Sequence, residues 1–444
     1  MDDKVFMSRA IDLAKRGVGW TSPNPLVGAV IVKDGRVIGE GWHHRYGDLH
    51  AERDALKNCT EDPAGATIYV TLEPCCHHGK QPPCTDALIE AGIRRVVLGS
   101  GDPNPLVGGQ GVKILREHKI QVDEGVLEQE CLAINDVFFH FITTGLPFVA
   151  MKYAMTMDGK IACYTGASKW VTGEKAREHV QTLRNRYRSI MVGVGTVLAD
   201  DPMLNCRLPG GRSPIRIVCD SHLRTPLDAK VVQTADEYET IIATCVKDPE
   251  RLKPYEEHGV SFIQAGDSDS VMSPKQEKKL DPKGTGAGVD ETDAGAIKTG
   301  AGAYAFSKSA YEDAGCAESG SVESGYMDSG YVESRYDESG SVHFGKQWDK
   351  QVNLRVLLRQ LGERKIDSIL LEGGAQLNWS MLSEGLVNKV YTYIAPKLFG
   401  GAQAKSPVGG LGFPDPGSAV ILERMQFTEL GEDLLIESRL TAAS

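Results

Sequence analysis

The chain has 444 residues, of which 41% are hydrophobic and 25% charged, a composition typical of globular domains. This length predicts two or three domains. The formal net charge of -11 argues against a large phosphate-binding surface, and therefore against a DNA- or RNA-binding protein. The sequence shows neither a run of about 18 apolar residues nor a signal-peptide core, so we expect a cytoplasmic protein without membrane contact. Of the ten cysteines, the seven outside residues 75–84 are scattered without framework spacing, which predicts mostly reduced thiols.

Strand and helix patterns alternate over residues 1–145, which we predict to be a first α/β domain. An Asp-Gly pair between two β-rich runs is a strong signal of a β-hairpin. The predicted elements are strands at residues 27–32, 37–40, 66–71 and 96–99 and helices at residues 51–56 and 83–90.

Three potential zinc ligands and one separate carboxylate stand in this first part. His50, Cys75 and Cys84 offer the nitrogen and sulfur donors that zinc prefers, and three protein ligands leave a fourth position for water. Glu52, two residues after His50, could move protons to and from that water. The pattern matches the H-x-E…P-C-x-x-C signature of zinc-dependent deaminases, except that eight residues separate Cys75 from Cys84. Cys84 is predicted near a helix N-terminus, which favours a thiolate.

A structural zinc site is the competing interpretation. Such a site would be closed by a fourth protein ligand, for which Cys76, His77 and His78 are candidates. A structural zinc site has no need of a carboxylate such as Glu52, so the presence of Glu52 favours a catalytic site. Spacing alone leaves the choice between Cys75 and Cys76 open, although Cys75 follows proline as in the deaminase signature.

A second α/β domain, with a mostly parallel sheet, is predicted over residues 146–444. Glycines follow two of its strands, at Gly193 and at residues 373–374, where backbone N–H groups and a helix N-terminus could approach a phosphate. Each signal is weak alone, because glycines after strands are commonly turns. The predicted elements are strands at residues 148–155, 189–194, 214–219, 240–246 and 366–371 and helices at residues 174–187, 354–361 and 376–383.

Residues 266–345 interrupt this second domain. They are rich in Gly, Ser, Asp, Glu and Ala, and residues 318–342 repeat in fives, as in ESGSV and ESGYM. The tyrosines could bind a partner, but the composition favours a disordered surface insertion.

Longer motifs resemble those of the bifunctional riboflavin-biosynthesis deaminase–reductases, over nearly the whole chain except the insertion. The resemblance implies a cytidine-deaminase-like three-layer domain followed by a dihydrofolate-reductase-like α/β domain. The motifs are PNPLVGAV at 23–30, HAE at 50–52, EPCCHHGKQPPC at 73–84, DPNPLVGGQG at 102–111, MKYAMTMDGKIA at 151–162, GVGTVLADDPMLNCR at 193–207, LEGGAQLN at 371–378 and APKLFGG at 395–401.

The same resemblance implies two successive reactions on a small phosphorylated pyrimidine. Zinc, one ion per chain, would serve hydrolytic removal of the 2-amino group of 2,5-diamino-6-ribosylamino-4(3H)-pyrimidinone 5′-phosphate. NADPH would then reduce the ribosyl group to ribityl. A homo-oligomer, either a dimer or a tetramer, is also implied.

Site residues are carried over from the family motif by motif. Lys80 would contact the substrate phosphate in the deaminase, and Arg184 and Arg207 would clamp it in the reductase. Lys152 would assist hydride transfer by polarising or protonating the sugar, or would be a strand lysine paired with a carboxylate. Deaminase substrate contacts would be Asn24, His43, Lys80 and Asn104, with His77 as an additional candidate. Reductase substrate contacts would be Ser168, Arg184, Leu204, Arg207 and Glu372. NADPH contacts would be Ala154, Trp170, Thr196, Asp200, Ser221, Gly374, Ala375, Gln376, Leu377, Asn378, Trp379 and Ser380.

Two other functions fit parts of the pattern. A nucleic-acid deaminase could use the same zinc motif but would need a basic groove and stacking aromatics. A non-catalytic scaffold would make zinc structural and the five-residue repeats adhesive. The acidic charge argues against the first, and Glu52 argues against the second.

Overall fold

A computed structural model describes residues 2–77, 81–104, 108–266 and 351–440, together with the short segments 335–336 and 342–343. The chain divides into two compact units, Met1–Asp267 with Asp349–Ser444, and Ser268–Trp348. The predicted insertion falls almost wholly on residues outside the described ranges. In the second unit, β11 (Arg335–Tyr336) and β12 (Val342–His343) pair antiparallel.

The first unit contains two sheets, and we call the chain segments that build them the first half and the second half. The first half contains α1 (Asp3–Lys15), β1 (Gly28–Lys33), β2 (Arg36–Trp42), α2 (Ala51–Lys57), β3 (Thr67–Leu72), α3 (Cys84–Glu90), β4 (Arg95–Ser100), α4 (Gln110–Glu117), β5 (Gln121–Asp123), α5 (Glu128–Ile134) and α6 (Asp136–Thr144). The second half contains β6 (Phe148–Thr156), α7 (Glu174–Arg186), β7 (Ser189–Gly193), α8 (Val194–Asp200), β8 (Ile215–Cys219), α9 (Lys230–Gln233), β9 (Thr240–Thr244), α10 (Pro249–Glu256), β10 (Ser261–Gln264), α11 (Leu354–Glu363), β13 (Ser368–Leu371), α12 (Ala375–Ser383), β14 (Lys389–Ala395), β15 (Leu422–Leu430) and β16 (Asp433–Leu440).

The five-stranded sheet of the first half has the order β2-β1-β3-β4-β5. The predicted hairpin is confirmed, with positive φ angles of 49° at Asp34 and 75° at Gly35, as a tight two-residue turn requires. Alternate residues of β1 enter different cores: Ile31 packs towards α2 and α3, whereas Val30 packs towards α1. Helices therefore cover both faces, and the half has three layers.

The nine-stranded sheet of the second half has the order β10-β9-β8-β7-β13-β6-β14-β16-β15. Its strands run parallel from β10 to β14, and only β16 and β15 are antiparallel additions. This confirms the predicted mostly parallel sheet. The central strand β13 follows the insertion in sequence and enters between β7 and β6. The carboxyl ends of these three strands therefore meet at one edge, where α/β proteins commonly bind ligands.

Buried polar contacts join the two halves within the first unit. The Asp136 carboxylate accepts a hydrogen bond from Arg186 at 2.8 Å, and the Arg439 guanidinium lies 3.4 Å away. The Ser22 hydroxyl donates to the Asp367 carboxylate at 2.6 Å. Within the described part of the chain, no helix has the length and hydropathy needed to cross a bilayer.

Candidate active sites

A cluster of His50, Cys75 and Cys84 lies where β3, α2 and α3 meet, with His50 capping α2 and Cys84 opening α3. The ligand atoms of the three side chains all lie within 4.8 Å of one another. His50 Nδ1 is 3.4 Å from each sulfur. Sulfur and nitrogen ligands of tetrahedral zinc should be roughly 3.6 Å apart. Two thiols and one imidazole at these distances fit a zinc ion.

The two thiols of the cluster have opposite acidities. A hydrogen bond from the Cys84 thiol, together with His50, lowers the pKa of Cys75 to about 4. The same contact raises the pKa of Cys84 well above its usual value. Geometry contributes to this difference, because the backbone N–H of Cys84 points at the sulfur of Cys75, 3.4 Å away. That Cys84 binds zinc as a thiolate stays a prediction.

Glu52 stands in the first turn of α2 and is not one of the three clustered residues. Its side chain is only 3% exposed. Burial raises the pKa of Glu52 to about 7, and the nearby Cys75 adds to the shift. A carboxyl group with such a pKa can take up and release a proton near neutral pH.

His43 and Asn24 form one wall of the cavity above the cluster. The Leu49 carbonyl accepts from His43 Nδ1 at 2.9 Å, which leaves Nε2 to accept from the Asn24 amide at 3.1 Å. Burial lowers the pKa of His43, in keeping with this neutral form. Asn104 and His77 also line the cavity, so the structure brings these predicted residues together. Lys80 lies outside the described residues.

The competing fourth ligands do not join the cluster in the described part of the chain. Cys76 follows Cys75 but is absent from the group, and burial raises the pKa of its thiol. His77 lines the cavity without entering the cluster, and His78 is outside the described residues. The geometry therefore favours Cys75 over Cys76 and an open fourth position.

A second cavity, of about 270 Å³, lies at the carboxyl ends of β6 and β13. There the Arg184 guanidinium donates two hydrogen bonds to the Glu372 carboxylate, at 2.8 and 3.0 Å. Lys152 Nζ lies 3.9 Å from the same carboxylate. Burial would raise the pKa of Glu372, but the Arg184 and Lys152 charges outweigh it and lower that pKa to about 2. Both interpretations of Lys152 are compatible with this contact, because the paired lysine also faces the cavity.

The pairing changes the expectation for the two arginines. A third N–H of Arg184 donates to the Asn205 carbonyl at 3.0 Å, which leaves two of its five N–H groups for a phosphate. The Arg207 guanidinium makes no hydrogen bond to another described residue and lines the cavity beside Ser168. Arg207 is therefore the better candidate for the phosphate.

The two predicted glycine turns lie side by side at this edge. The Gly193 N–H donates to the Gly373 carbonyl at 2.9 Å, and the Gly374 N–H donates to the Thr196 hydroxyl at 3.2 Å. Asn378 donates to the Pro407 carbonyl at 2.9 Å, while its own buried oxygen has no partner among the described residues. The unpaired oxygen can accept a hydrogen bond from a hydroxyl or amide group of a bound cofactor, and the start of α12 is suited to a phosphate.

The predicted cofactor contacts are only partly gathered at the cavity. Leu204, a predicted substrate contact, is 3% exposed and packs in the core, so its side chain is not in the cavity wall. Trp379 packs edge-on against Phe413 on another face of α12. The predicted residues that line the cavity are Lys152, Ala154, Ser168, Trp170, Arg184, Arg207, Glu372, Gly374, Ala375 and Asn378. Those absent from its lining are Thr196, Asp200, Leu204, Ser221, Gln376, Leu377, Trp379 and Ser380.

Each half of the chain matches the model of a known protein family. The cytidine and deoxycytidylate deaminase zinc-binding region matches residues 1–100. The RibD C-terminal domain matches residues 147–282 and 330–436. The riboflavin biosynthesis protein RibD of Actinobacillus pleuropneumoniae is 46% identical over 437 residues, covering 98% of this chain and 95% of that protein. The chain belongs to the RibD family.

Solved structures of RibD proteins agree with this assignment. The Acinetobacter baumannii RibD structure has 30% identity and a TM-score of 0.72, with 99% of each chain covered. A Thermotoga maritima deaminase/reductase has 33% identity and a TM-score of 0.71, again with 99% of each chain covered. The RibD family combines a deaminase with a reductase for riboflavin biosynthesis, so the chain is a bifunctional enzyme, hydrolase and oxidoreductase.

Several residues that line the RibD reductase cavity were not predicted as site residues, among them Arg177 and Gln181. The Arg177 guanidinium lies over the Trp170 ring, 4.7 Å from its centre. The Gln181 side-chain oxygen accepts a hydrogen bond from the backbone N–H of Arg207 at 3.0 Å. Both line the cavity with Arg184. The signal was present in the sequence, because positions 177, 181 and 184 share one face of a helix.

The RibD zinc-binding region offers a direct test of the cysteine choice. We expect Cys75→Ser and Cys84→Ser to bind less than a tenth of the wild-type zinc, because each removes a thiolate ligand. Cys76→Ser is the matched control and should retain the metal. Zinc measured by atomic emission on purified protein distinguishes the variants, and zinc loss only in Cys76→Ser would show that the neighbouring thiol is the ligand.

Proposed function

We propose that the chain deaminates 2,5-diamino-6-ribosylamino-4(3H)-pyrimidinone 5′-phosphate and then reduces the ribosyl group of the product with NADPH. The observation that carries the proposal is the buried Glu52 beside the open cluster of His50, Cys75 and Cys84. The Thermotoga maritima relative, described as a diaminohydroxyphosphoribosylaminopyrimidine deaminase and 5-amino-6-(5-phosphoribosylamino)uracil reductase, supports the substrate choice.

In the deaminase, one zinc ion per chain, held by the three clustered residues, would supply an activated water. Glu52 would accept a proton from this water at its carboxylate and return it to the departing amine. The His43–Asn24 pair, fixed by the Leu49 carbonyl, would orient the pyrimidine. Burial of Glu52 keeps bulk water from competing for its proton.

In the reductase, NADPH would supply the hydride when bound. Lys152 would donate a proton to the sugar from its ammonium group, which faces the cavity. Glu372, held by Arg184, would keep that ammonium group in place. Arg207 would bind the substrate phosphate, and the unpaired oxygen of Asn378 would accept a hydrogen bond from the cofactor.

Several expectations stay proposals beside this function. We propose a division between the deaminase and reductase domains at residues 145 and 146, a cytoplasmic location, and a homo-oligomer that is a dimer or a tetramer. Light scattering after size exclusion would measure the oligomeric state. Comparing initial rates with NADPH and NADH would test the cofactor preference.

Mass spectrometry of the reaction products tests the two steps in order. Purified enzyme with the diaminopyrimidine phosphate alone should give a product about one mass unit heavier, because water replaces ammonia. Adding NADPH should add about two further units for the hydrogens. Absence of the first product would reject the deaminase proposal, and absence of the second only would reject the reductase proposal.

Deleting residues 268–348 should leave both activities within about twofold of wild type, because surface insertions contribute little to a folded core. Flanking contacts support this expectation, since the Asn353 N–H donates to the Ala265 carbonyl at 2.6 Å across the deleted segment. A short Gly-Ser linker would join the ends. Rates of ammonia release and NADPH oxidation are the measurement, and loss of both in a folded protein would favour a role for the repeats.

A further inference from the structure

The cavity above the metal cluster is built by both halves. It has a volume of about 600 Å³, and its wall includes Arg188, Arg364 and Lys365 from the second half. This volume exceeds what a single pyrimidine ring requires and lies within the range of sites for whole small ligands. The second half therefore contributes side chains to the wall of the deaminase cavity.

Charges are divided between the halves along this wall. Among the described residues that line the cavity, the arginines and the lysine all come from the second half. The carboxylates, Asp48, Glu52, Glu73 and Asp102, all come from the first half. A dianionic phosphate would be repelled by the carboxylates near the metal cluster and attracted to the cationic side.

Arg188 is fixed through its backbone while its guanidinium makes no hydrogen bond to a described residue. Its N–H donates to the Ser368 hydroxyl at 2.9 Å, directly before β7. The nearby Asp367 carboxylate already accepts from Ser22 at 2.6 Å and from Ser368 at 2.8 Å. Arg364 donates one hydrogen bond to the Phe262 carbonyl at 3.2 Å, and other donors of its guanidinium stay available.

We propose that Arg188, Arg364 and Lys365 bind the phosphate of the deaminase substrate, so that the second half completes the deaminase site. The inference rests on the proposed function. Hydrolysis requires the amine to lie at the metal cluster, and the phosphate is at the opposite end of the substrate. Arginine suits this task because its planar fork can donate two hydrogen bonds to a phosphate.

Steady-state ammonia release is measured with the phosphorylated substrate and with its dephosphorylated riboside. In wild type, kcat/KM should be much higher for the phosphorylated compound. Arg188→Met, and separately Arg364→Gln with Lys365→Gln, should raise KM for that compound roughly tenfold to a hundredfold. The riboside rate, zinc content and NADPH oxidation should stay unchanged. Arg359→Gln, which removes an exposed charge from α11, is the matched control.

The outcomes separate this inference from the function on which it rests. If wild type releases no ammonia from either compound, the proposed function fails. If wild type is active and the variants retain the full preference for phosphate, the inference is overturned. The same holds if Lys80→Met alone abolishes the preference while Arg188→Met leaves it intact. A loss of both substrates in Arg188→Met, with normal thermal stability, would also contradict a phosphate role.

Discussion

Glu52→Gln should reduce ammonia release roughly a hundredfold to ten thousandfold, the usual contribution of a positioned acid–base group. Glutamine keeps the size of the side chain in its buried position but cannot take up a proton. Zinc should remain bound, because Glu52 is outside the cluster of ligand atoms. NADPH oxidation with the deaminated intermediate should continue, since that cavity is formed by other residues.

The matched control is Glu117→Gln, an exposed carboxylate at the end of α4. It should retain both activities. Ammonia release is measured by a coupled assay, and zinc by atomic emission on the same sample. Normal deamination by a zinc-loaded Glu52→Gln enzyme would refute the role assigned to this carboxylate.

Glu372→Gln should lower NADPH oxidation by at least roughly a hundredfold, because Lys152 loses the anion that positions it. The same change leaves Arg184 and Lys152 facing each other without a negative charge. Removing one partner of a buried ion pair should lower the free energy of unfolding by about 3 kcal/mol. Urea denaturation measures this loss, and ammonia release in the folded fraction should be unchanged.

Glu363→Gln, an exposed carboxylate at the end of α11, is the control for the loss of one negative charge. It should match wild type in stability and rate. If Glu372→Gln were destabilised yet oxidised NADPH at the normal rate, the cluster of Lys152, Arg184 and Glu372 would have only a structural role. Full retention of stability would contradict the buried-pair interpretation.

Local features were predictable because neighbouring residues determine them. The Asp34-Gly35 turn and the start of α2 at Ala51 follow from short sequence signals. The predicted boundaries of helices and strands were less accurate where one element directly follows another. The strand predicted at residues 366–371 begins at Ser368, because α11 ends in a left-handed residue, Lys365, and Ile366 still bonds back to that helix.

Tertiary pairings were beyond sequence reasoning. Arg184 and Glu372 are 188 residues apart, and neither position signals that this carboxylate accepts two hydrogen bonds from this guanidinium. The sharing of the first cavity by Arg188 and Lys365 also depends on how the halves pack. The predicted helices and strands also end at residue 383, whereas β14, β15 and β16 complete the sheet. Only the folded arrangement shows these relations.

The position of β13 has a consequence for the order of folding. This central strand is made only after the ribosome has passed the whole insertion, whereas its neighbours β6 and β7 precede the insertion. Joining strands that are so far apart in sequence costs little equilibrium stability but slows the formation of their contacts. Until β13 arrives, facing edges of β6 and β7 stay unpaired and open to aggregation. We therefore expect the insertion to affect the rate of folding more than the activity of the folded enzyme.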